Sequence, residues 1–432
     1  MLFKNIGIVD ENFDYVKSMF VETKNDRIVY VSSVRPENYE GEEYDGTGKV
    51  LMPGFVNAHS HSPMTLLRGY AENLPLQRWL NEKVFPFEDR IKGEDAYYSS
   101  MLAIAEMLRY GTVSFSDMYF FSENVAKAVT DSGIKCNFSR AITSFEDTDI
   151  ENLQSFRESE DIVKRFHNAA DGRLKIDMSL HAEYTNRRTI IEQFAEKVRE
   201  RGLRAHIHLS ETKKEHEECK AKYSLTPTQL FYKCGVFDVP TTAAHCVWVE
   251  DGDIELLREK GVTAATCPAS NLKLGSGICD VYKLLKSGVN VAIGTDSVAS
   301  NNNLNMIKEM FLCALLPKGL HNDASVVSER DILKMATVNG YKAQGREDSG
   351  AIKAGYKADL CVLHIESEHM YPQTDMINNL VYAADGADVV LTMADGRVLY
   401  KDGEFTTIDI EKVKSTVNAA ASRIISEVKK NG

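Results

Sequence analysis

Between residues 54 and 345, short apolar runs alternate with longer stretches of helical period, and this alternation restricts the fold more than any other feature. Eight runs read as strands: 54–59, 112–117, 135–140, 175–181, 204–209, 241–246, 262–267 and 289–295. Helical stretches such as 95–110, 189–201, 254–260 and 281–287 lie between them. Eight βα units in about 290 residues predict an α/β fold of the closed (β/α)8 TIM-type barrel, which needs about 250 residues and grows by insertion. A doubly wound open sheet is the competing arrangement. It ranks lower because no Gly-x-Gly-x-x-Gly turn opens any helix.

The two ends of the chain read differently. Runs at 6–10, 19–22 and 27–31 lean to strand and are separated by Asn, Asp and Lys. Strand texture returns after Ala351, at 358–362, 388–393 and 397–400, with Asp395-Gly396 and Asp402-Gly403 as hairpin turns. The expectation is one small β-sandwich built from both ends, residues 1–53 and 346–406, around a barrel at 54–345, with a helix over 407–432.

Charge and composition remove several classes of function. A formal net charge of −12 argues against nucleic acid as the main partner, because such binding needs clustered Lys and Arg. No run approaches the roughly 18 apolar residues of a membrane span. Met1 to Asn5 do not form the basic segment that precedes the apolar run of a secretory signal. Eight cysteines are scattered without a Cys-x-x-Cys pair, which reads as reduced thiols in a cytoplasmic enzyme. A small molecule is the expected partner.

Catalytic groups of such barrels sit at the carboxyl ends of the strands. Here His59 and His61 end the first strand, His181 the fourth, His208 the fifth, His245 the sixth and Asp296 the eighth. Five of the eleven histidines thus fall on one rim, where chance would scatter them. His59 and His61 are two apart on an extended segment and point to one side. Two imidazoles there suit a divalent first-row ion such as zinc. Glu211, three residues past His208, places a carboxylate where a proton shuttle beside an activated water belongs. Asp296 either ligates the metal or takes a proton. Its bland alternative is a helix N-cap, for which residues 299–303 offer better candidates. His206 shares the face of His208 one layer deeper and reads as a buried structural residue. Cys246 should turn outward under the helices, and His167, His216, His321, His364 and His369 are expected to face solvent. The end of the fourth strand holds His181 where two-metal hydrolases of cyclic amides on this barrel often carry a modified lysine, and Lys175 begins the strand. That favours a single metal.

The run Pro53 to His61, with His208, His245 and Asp296, resembles the amidohydrolase superfamily. The stretches His61 to Gly69, Trp79-Leu80, Pro86 to Arg90, Asp117-Met118-Tyr119, Ala244 to Val247, Pro268 to Gly275 and Gly294 to Asp296 resemble the 5-methylthioadenosine/S-adenosylhomocysteine deaminases, nearly end to end. The resemblance implies one Zn²⁺ held by His59, His61, His208 and Asp296, with iron or manganese as other occupants of the same ligands. It implies a water whose pKa the ion lowers to about 7, attack at C6 of adenine, loss of ammonia and an inosine product. Glu211 would carry the proton to the ring nitrogen, His245 would hold and polarise the water, and Asp296 would help to deprotonate it. Glu88 would bind the ribose hydroxyls, its bland alternative being a surface ion pair with Arg90, and His181 would contact the sugar.

The resemblance also implies a homo-oligomer, because the family residue that Arg140 matches reaches in from a neighbouring subunit to receive the homocysteine carboxylate. The loop that should bring a second arginine, residues 143–151, contains Glu146, Asp147, Asp149 and Glu151 and no arginine. A carboxylate would lose a bidentate partner there and meet repulsion. The expectation is a preference for neutral 5′ groups, as in methylthioadenosine, adenosine or 5′-deoxyadenosine. Two rival readings stand beside this one: hydrolysis of a free base or triazine ring, and a catalytically inactive assembly protein that keeps only the fold.

Overall fold

The computed structural model describes residues 1–74 and 76–431. The eight barrel strands fall close to the apolar runs: β1 (Phe55–Ser60), β2 (Thr112–Met118), β3 (Lys135–Ser139, resumed at Ala141–Ile142), β4 (Leu174–Ile176 and Met178–Leu180), β5 (Ala205–Leu209), β6 (Thr241–His245), β7 (Thr263–Thr266) and β8 (Asn290–Ile293). All ladders between neighbouring barrel strands are parallel. Nearly every residue in them is buried, as expected for strands covered by helices on one side and packed side chains on the other.

The expected fourth strand, 175–181, is divided at Asp177. Its amide bonds Phe138 on β3 at 3.0 Å, and the next amide, of Met178, bonds Arg204 beside β5 at 2.9 Å. The strand therefore serves both neighbours in turn. The barrel closes between β8 and β1, where the amides of Thr295 and Asp296 both reach the carbonyl of His59, at 3.2 and 2.9 Å. Asn57 secures that seam from inside. Its side chain donates to Thr295 Oγ1 at 2.7 Å and accepts from the Thr295 amide at 3.0 Å.

Strands from the two chain ends share one nine-stranded hydrogen-bonded sheet. The join is the antiparallel pairing of Lys49–Pro53 with Leu360–His364, Pro53 opposite Leu360. Because β1 starts two residues after Pro53, this sheet anchors the strand that carries His59. A buried ion triad ties the barrel floor to the sheet: Lys135 at the start of β3 meets Asp359 at 2.5 Å and Asp395 at 2.8 Å. The C-terminal helix, Ile410–Asn431, buries Val413, Val417 and Ile424 in the cluster that also takes Ile104 and Leu108 from helix Gly93–Arg109. All eight cysteines are free and buried, and Cys246 sits in the outer core with Ile254 and Leu257.

Candidate active site

The rim residues meet at one point. The ring of His59 lies 4.8 Å from those of His61 and His208 and 5.4 Å from that of His245, centroid to centroid. Asp296 Oδ1 is 3.3 Å from His61 Nε2 and 3.8 Å from His59 Nε2. Donor atoms of His59, His61 and Asp296 lie within 4.8 Å of one another, as do those of His59, His208 and His245. Glu211 Oε2 is 3.8 Å from His245 Nε2.

Each imidazole is held through Nδ1, which leaves Nε2 for the centre. His61 Nδ1 contacts the Met118 carbonyl at 2.5 Å and His208 Nδ1 the His181 carbonyl at 2.7 Å. His245 Nδ1 meets Asn271 Oδ1 at 2.9 Å, and His59 Nδ1 meets His206 Nε2 at 3.0 Å. Metal-binding histidines are oriented through the second nitrogen in this way. Asp296 shows the same division: Oδ2 accepts from Ser270 and Ser300, at 2.5 and 2.9 Å, while Oδ1 faces the histidines. His59 Nε2 is buried with no hydrogen-bond partner, a state that calls for a ligand. Burial, with the neighbouring imidazoles, holds His59 and His208 neutral, well below the usual histidine range. Burial also opposes charge on His61, but the Asp296 carboxylate outweighs it and raises that pKa to about 9. A divalent cation competes for the place of that proton. The nitrogen and oxygen donors, their burial and the orphaned Nε2 all fit a divalent metal ion.

A profile of the amidohydrolase family matches residues 50–399. The chain belongs to the amidohydrolase family. Among its relatives, a 5-methylthioadenosine/S-adenosylhomocysteine deaminase of Dictyoglomus thermophilum is 44% identical over 393 residues, 90% of this chain and 92% of the relative. A 5′-deoxyadenosine deaminase of Methanothermobacter thermautotrophicus is 39% identical over 401 residues, 93% of each. The crystal structure of an adenosine deaminase from Xanthomonas campestris with bound zinc superposes with a TM-score of 0.92 at 29% identity and 98% coverage of both chains. A zinc complex of atrazine chlorohydrolase from Arthrobacter aurescens, at 19% identity, a TM-score of 0.89 and coverage of 97% of this chain and 99% of that one, shares the fold.

In this amidohydrolase the histidine cluster floors a cavity of about 360 Å³. His61, His208, His245, Asp296 and Glu211 form the polar end, and Trp79, Leu80, Val84, Phe85 and Phe120 supply an apolar wall. Glu88 faces the same space and accepts from Tyr119 Oη at 2.6 Å, so it is not the surface partner of Arg90. Burial raises its pKa to about 7 against the Tyr119 hydrogen bond. His181 also lines the cavity, and burial beside other imidazoles lowers its pKa to about 4, keeping it neutral. Lys175 points to the opposite end of its strand, where it bonds the Gly345 carbonyl at 2.8 Å.

Four strand-end residues that are not glycine adopt the left-handed region: Ser210 (φ 47°), His245 (φ 74°), Cys246 (φ 49°) and Asp296 (φ 58°). Such backbone costs of order 1 kcal/mol or more per residue and persists where surrounding structure enforces it. Here it turns His245, Glu211 and Asp296 into the mouth. Helix Lys213–Tyr223 starts at once after Glu211, with Thr212 and Glu215 in a reciprocal capping box, and fixes that turn.

Several expectations are corrected by position. Arg140 lines the cavity of its own chain, and its guanidinium is taken by Glu158 at 2.8 Å and the Ala141 carbonyl at 2.7 Å. None of the four loop acids lines the cavity; Thr143 alone represents that loop. Asp147 accepts from Thr189, and Glu151 pairs with Lys197. The cap after Asp296 is Ser297 rather than any of 299–303, which leaves the Asp296 carboxylate to the site. His216 is buried, not solvent-facing: its helix packs on helix Pro227–Lys233 and the turn Glu183–Thr185, and its ring bridges Ser210 Oγ and Glu250. His167 and His364 are half-buried, while His321 and His369 are exposed. Asn271, Ser270 and Tyr119 carried no role of their own in the sequence reading, and Ser300 only that of a helix-cap candidate. Asn271 and Ser270 were visible only as part of the run Pro268 to Gly275.

Proposed function

We propose that this amidohydrolase deaminates an adenosine-type nucleoside at C6 with one zinc ion, converting it to the inosine analogue and ammonia. The observation that carries the reading is a single cavity with an imidazole–carboxylate cluster at its floor and the Glu88–Tyr119 pair in its wall. Relatives named for methylthioadenosine, S-adenosylhomocysteine and 5′-deoxyadenosine support the substrate class.

His59, His61, His208 and Asp296 would hold the metal, with His245 completing the inner wall of imidazoles. Zinc so held supplies Lewis acidity that brings the pKa of a water to about 7. The chain's own residues do the rest. His245, fixed by Asn271, orients the water for attack at C6, and Asp296 accepts a proton from it. Glu211 delivers a proton to the purine nitrogen next to C6; the proton held by Asp296 passes to the amine, which leaves as ammonia, while the new C6 hydroxyl returns a proton to Glu211. Glu88 accepts hydrogen bonds from the ribose hydroxyls, and His181, neutral, contacts the sugar. A free base would leave Glu88 idle, which favours a nucleoside over guanine, cytosine or a triazine.

Preference for a neutral 5′ group rests on Arg140. Its charge is already neutralised by Glu158, so a substrate carboxylate gains little from it. A homo-oligomer in which Arg140 also serves a neighbouring site is an expectation for sedimentation to test. Eight free thiols suit a reducing compartment such as the cytoplasm. Ammonia release should be followed for adenosine, 5′-deoxyadenosine, methylthioadenosine, S-adenosylhomocysteine, guanine and cytosine. The reading requires turnover of the neutral adenosines well above S-adenosylhomocysteine, and activity confined to a free base would end it.

A further inference from the structure

The wall that carries Glu211 rests on two carboxyl groups outside the metal-facing set. Glu183 opens the short turn Glu183–Thr185 after β4, flanked by His181 and Tyr184, which both face the cavity. Glu215 lies in the first turn of helix Lys213–Tyr223 after β5. The two residues are 2% and 5% exposed. Glu215 Oε2 accepts from the amides of Glu211 at 2.8 Å and Thr212 at 3.3 Å. Glu215 Oε1 and both oxygens of Glu183 are buried and receive no well-aligned N–H or O–H from any described residue. The turn Glu183–Thr185 packs on helix Lys213–Tyr223, which sets the two carboxyl groups against each other.

Two buried carboxyls in contact cannot both be ionised. Neither forms a salt bridge with lysine or arginine among the described residues. The titratable groups that face the pair are Glu211, Tyr184, Cys219, Cys246 and His245, and the acidic ones oppose a second negative charge. No third ligand joins them in any metal-sized group of the described residues, so a proton, not a cation, fits between them. Burial first, then the neighbouring carboxylates, pushes Glu183 well above the usual range and Glu215 up to about 7.

We propose that Glu183 and Glu215 share a single proton and act as a positioning pair for Glu211. The inference rests on the deaminase reading for the reaction that Glu211 serves. The oxygen of Glu215 that accepts from the Glu211 amide sets the orientation of that peptide. The shared proton ties the turn holding His181 and Tyr184 to the same point, so two cavity walls keep one spacing. Loss of the proton at alkaline pH places like charges in contact, parts the walls and displaces Glu211 from the ring nitrogen. Glu88 lies on a different segment, so ribose binding is spared and the effect falls on kcat rather than on KM.

The test compares the zinc-loaded full chain with Glu183→Gln and Glu183→Ala, by kcat and KM across pH on methylthioadenosine and by infrared spectroscopy of protonated carboxyls. The wild-type minus Glu183→Gln difference should show a protonated carboxyl at pH 7 that disappears over the alkaline limb of kcat. Glutamine, a neutral donor of the same shape, should keep kcat within about threefold and lose that limb, whereas alanine should cost about tenfold in kcat with KM little changed. Absence of the difference band at pH 7, or equal damage from glutamine and alanine, overturns the proposal. If alanine prevents folding, the glutamine band and pH profile decide alone. A difference band in a protein that releases no ammonia from any nucleoside would support the shared proton and sink the deaminase reading.

Discussion

His206 lies behind the cluster, 1% exposed, with its Nε2 at 3.0 Å from His59 Nδ1. For His59 Nε2 to offer a lone pair to a metal, Nδ1 must carry the proton and donate it to His206. Burial lowers the pKa of both rings, His206 to about 3, so both are neutral and this donor–acceptor assignment holds at neutral pH. Replacing His206 with phenylalanine keeps a ring in the space and removes the acceptor. Loss of such a partner weakens metal affinity about 10- to 100-fold, roughly 1.4–2.7 kcal/mol. Glutamine, whose amide oxygen can accept from Nδ1, should recover most of it. Competition with a zinc chelator reads the affinity directly, and ammonia release at saturating zinc reads whether the site still works. The variant should also change acid stability. A histidine with a depressed folded pKa contributes stability that is present above 6.5 and lost as pH falls toward about 3, worth up to about 5 kcal/mol at 1.36 kcal/mol per unit. Phenylalanine has no proton to gain, so its unfolding free energy should fall less between pH 6 and 4. Unchanged zinc affinity in His206→Phe would refute the claim that His206 sets the tautomer of His59.

Glu88→Ala should lower kcat/KM for methylthioadenosine by about 100-fold, as expected for a buried charge-assisted hydrogen bond of about 3 kcal/mol, mainly through KM. Because the Glu88 pKa is raised to about 7, its ionised form appears above that pH, and wild-type kcat/KM should rise more steeply through pH 7 than the variant's, which keeps only the ionisation of the attacking water. In stability the sign is opposite: the contribution is full below the unfolded value near 4.5 and is lost as pH passes about 7, so the variant should lose less stability over that interval. Glu158→Gln frees Arg140 and should raise kcat/KM for S-adenosylhomocysteine relative to methylthioadenosine by about tenfold; an unchanged ratio would remove Arg140 from the account of specificity. Lys135→Met leaves Asp359 buried without its cation, Asp395 keeping Lys357 at 3.6 Å, and should cost about 3–5 kcal/mol in urea unfolding, while ammonia release by the folded fraction is retained.

The barrel was legible because each strand is short, apolar and separated from the next by helical period, and because strand ends carry polar residues on one rim. His59, His61, His208, His245 and Asp296 could therefore be placed together without knowing their distances. What the chain does to orient them was not legible. The Asn271 partner of His245 and the serines on Asp296 depend on loops after β7 and β8, whose path has no periodic signal. The left-handed turns at Ser210 and Cys246 occur at residues that do not favour that backbone, so local propensity pointed elsewhere. His216 was misplaced because a polar helix of low amphipathicity gives little indication of which face is buried. The acidic loop looked like part of the binding wall, yet Asp147 and Glu151 turn to Thr189 and Lys197, and Glu158, a residue on a neighbouring helix, is what occupies Arg140.

Hydrolytic exchange of an amine for water at C6 of an adenosine leaves solvent oxygen in the product, which isotope labelling reads. Zinc-loaded protein would be incubated with methylthioadenosine in water enriched in heavy oxygen, with product mass and ammonia measured together. The account predicts one heavy oxygen in each inosine product and one ammonia per turnover. Product without heavy oxygen, or substrate consumed without ammonia, would contradict it.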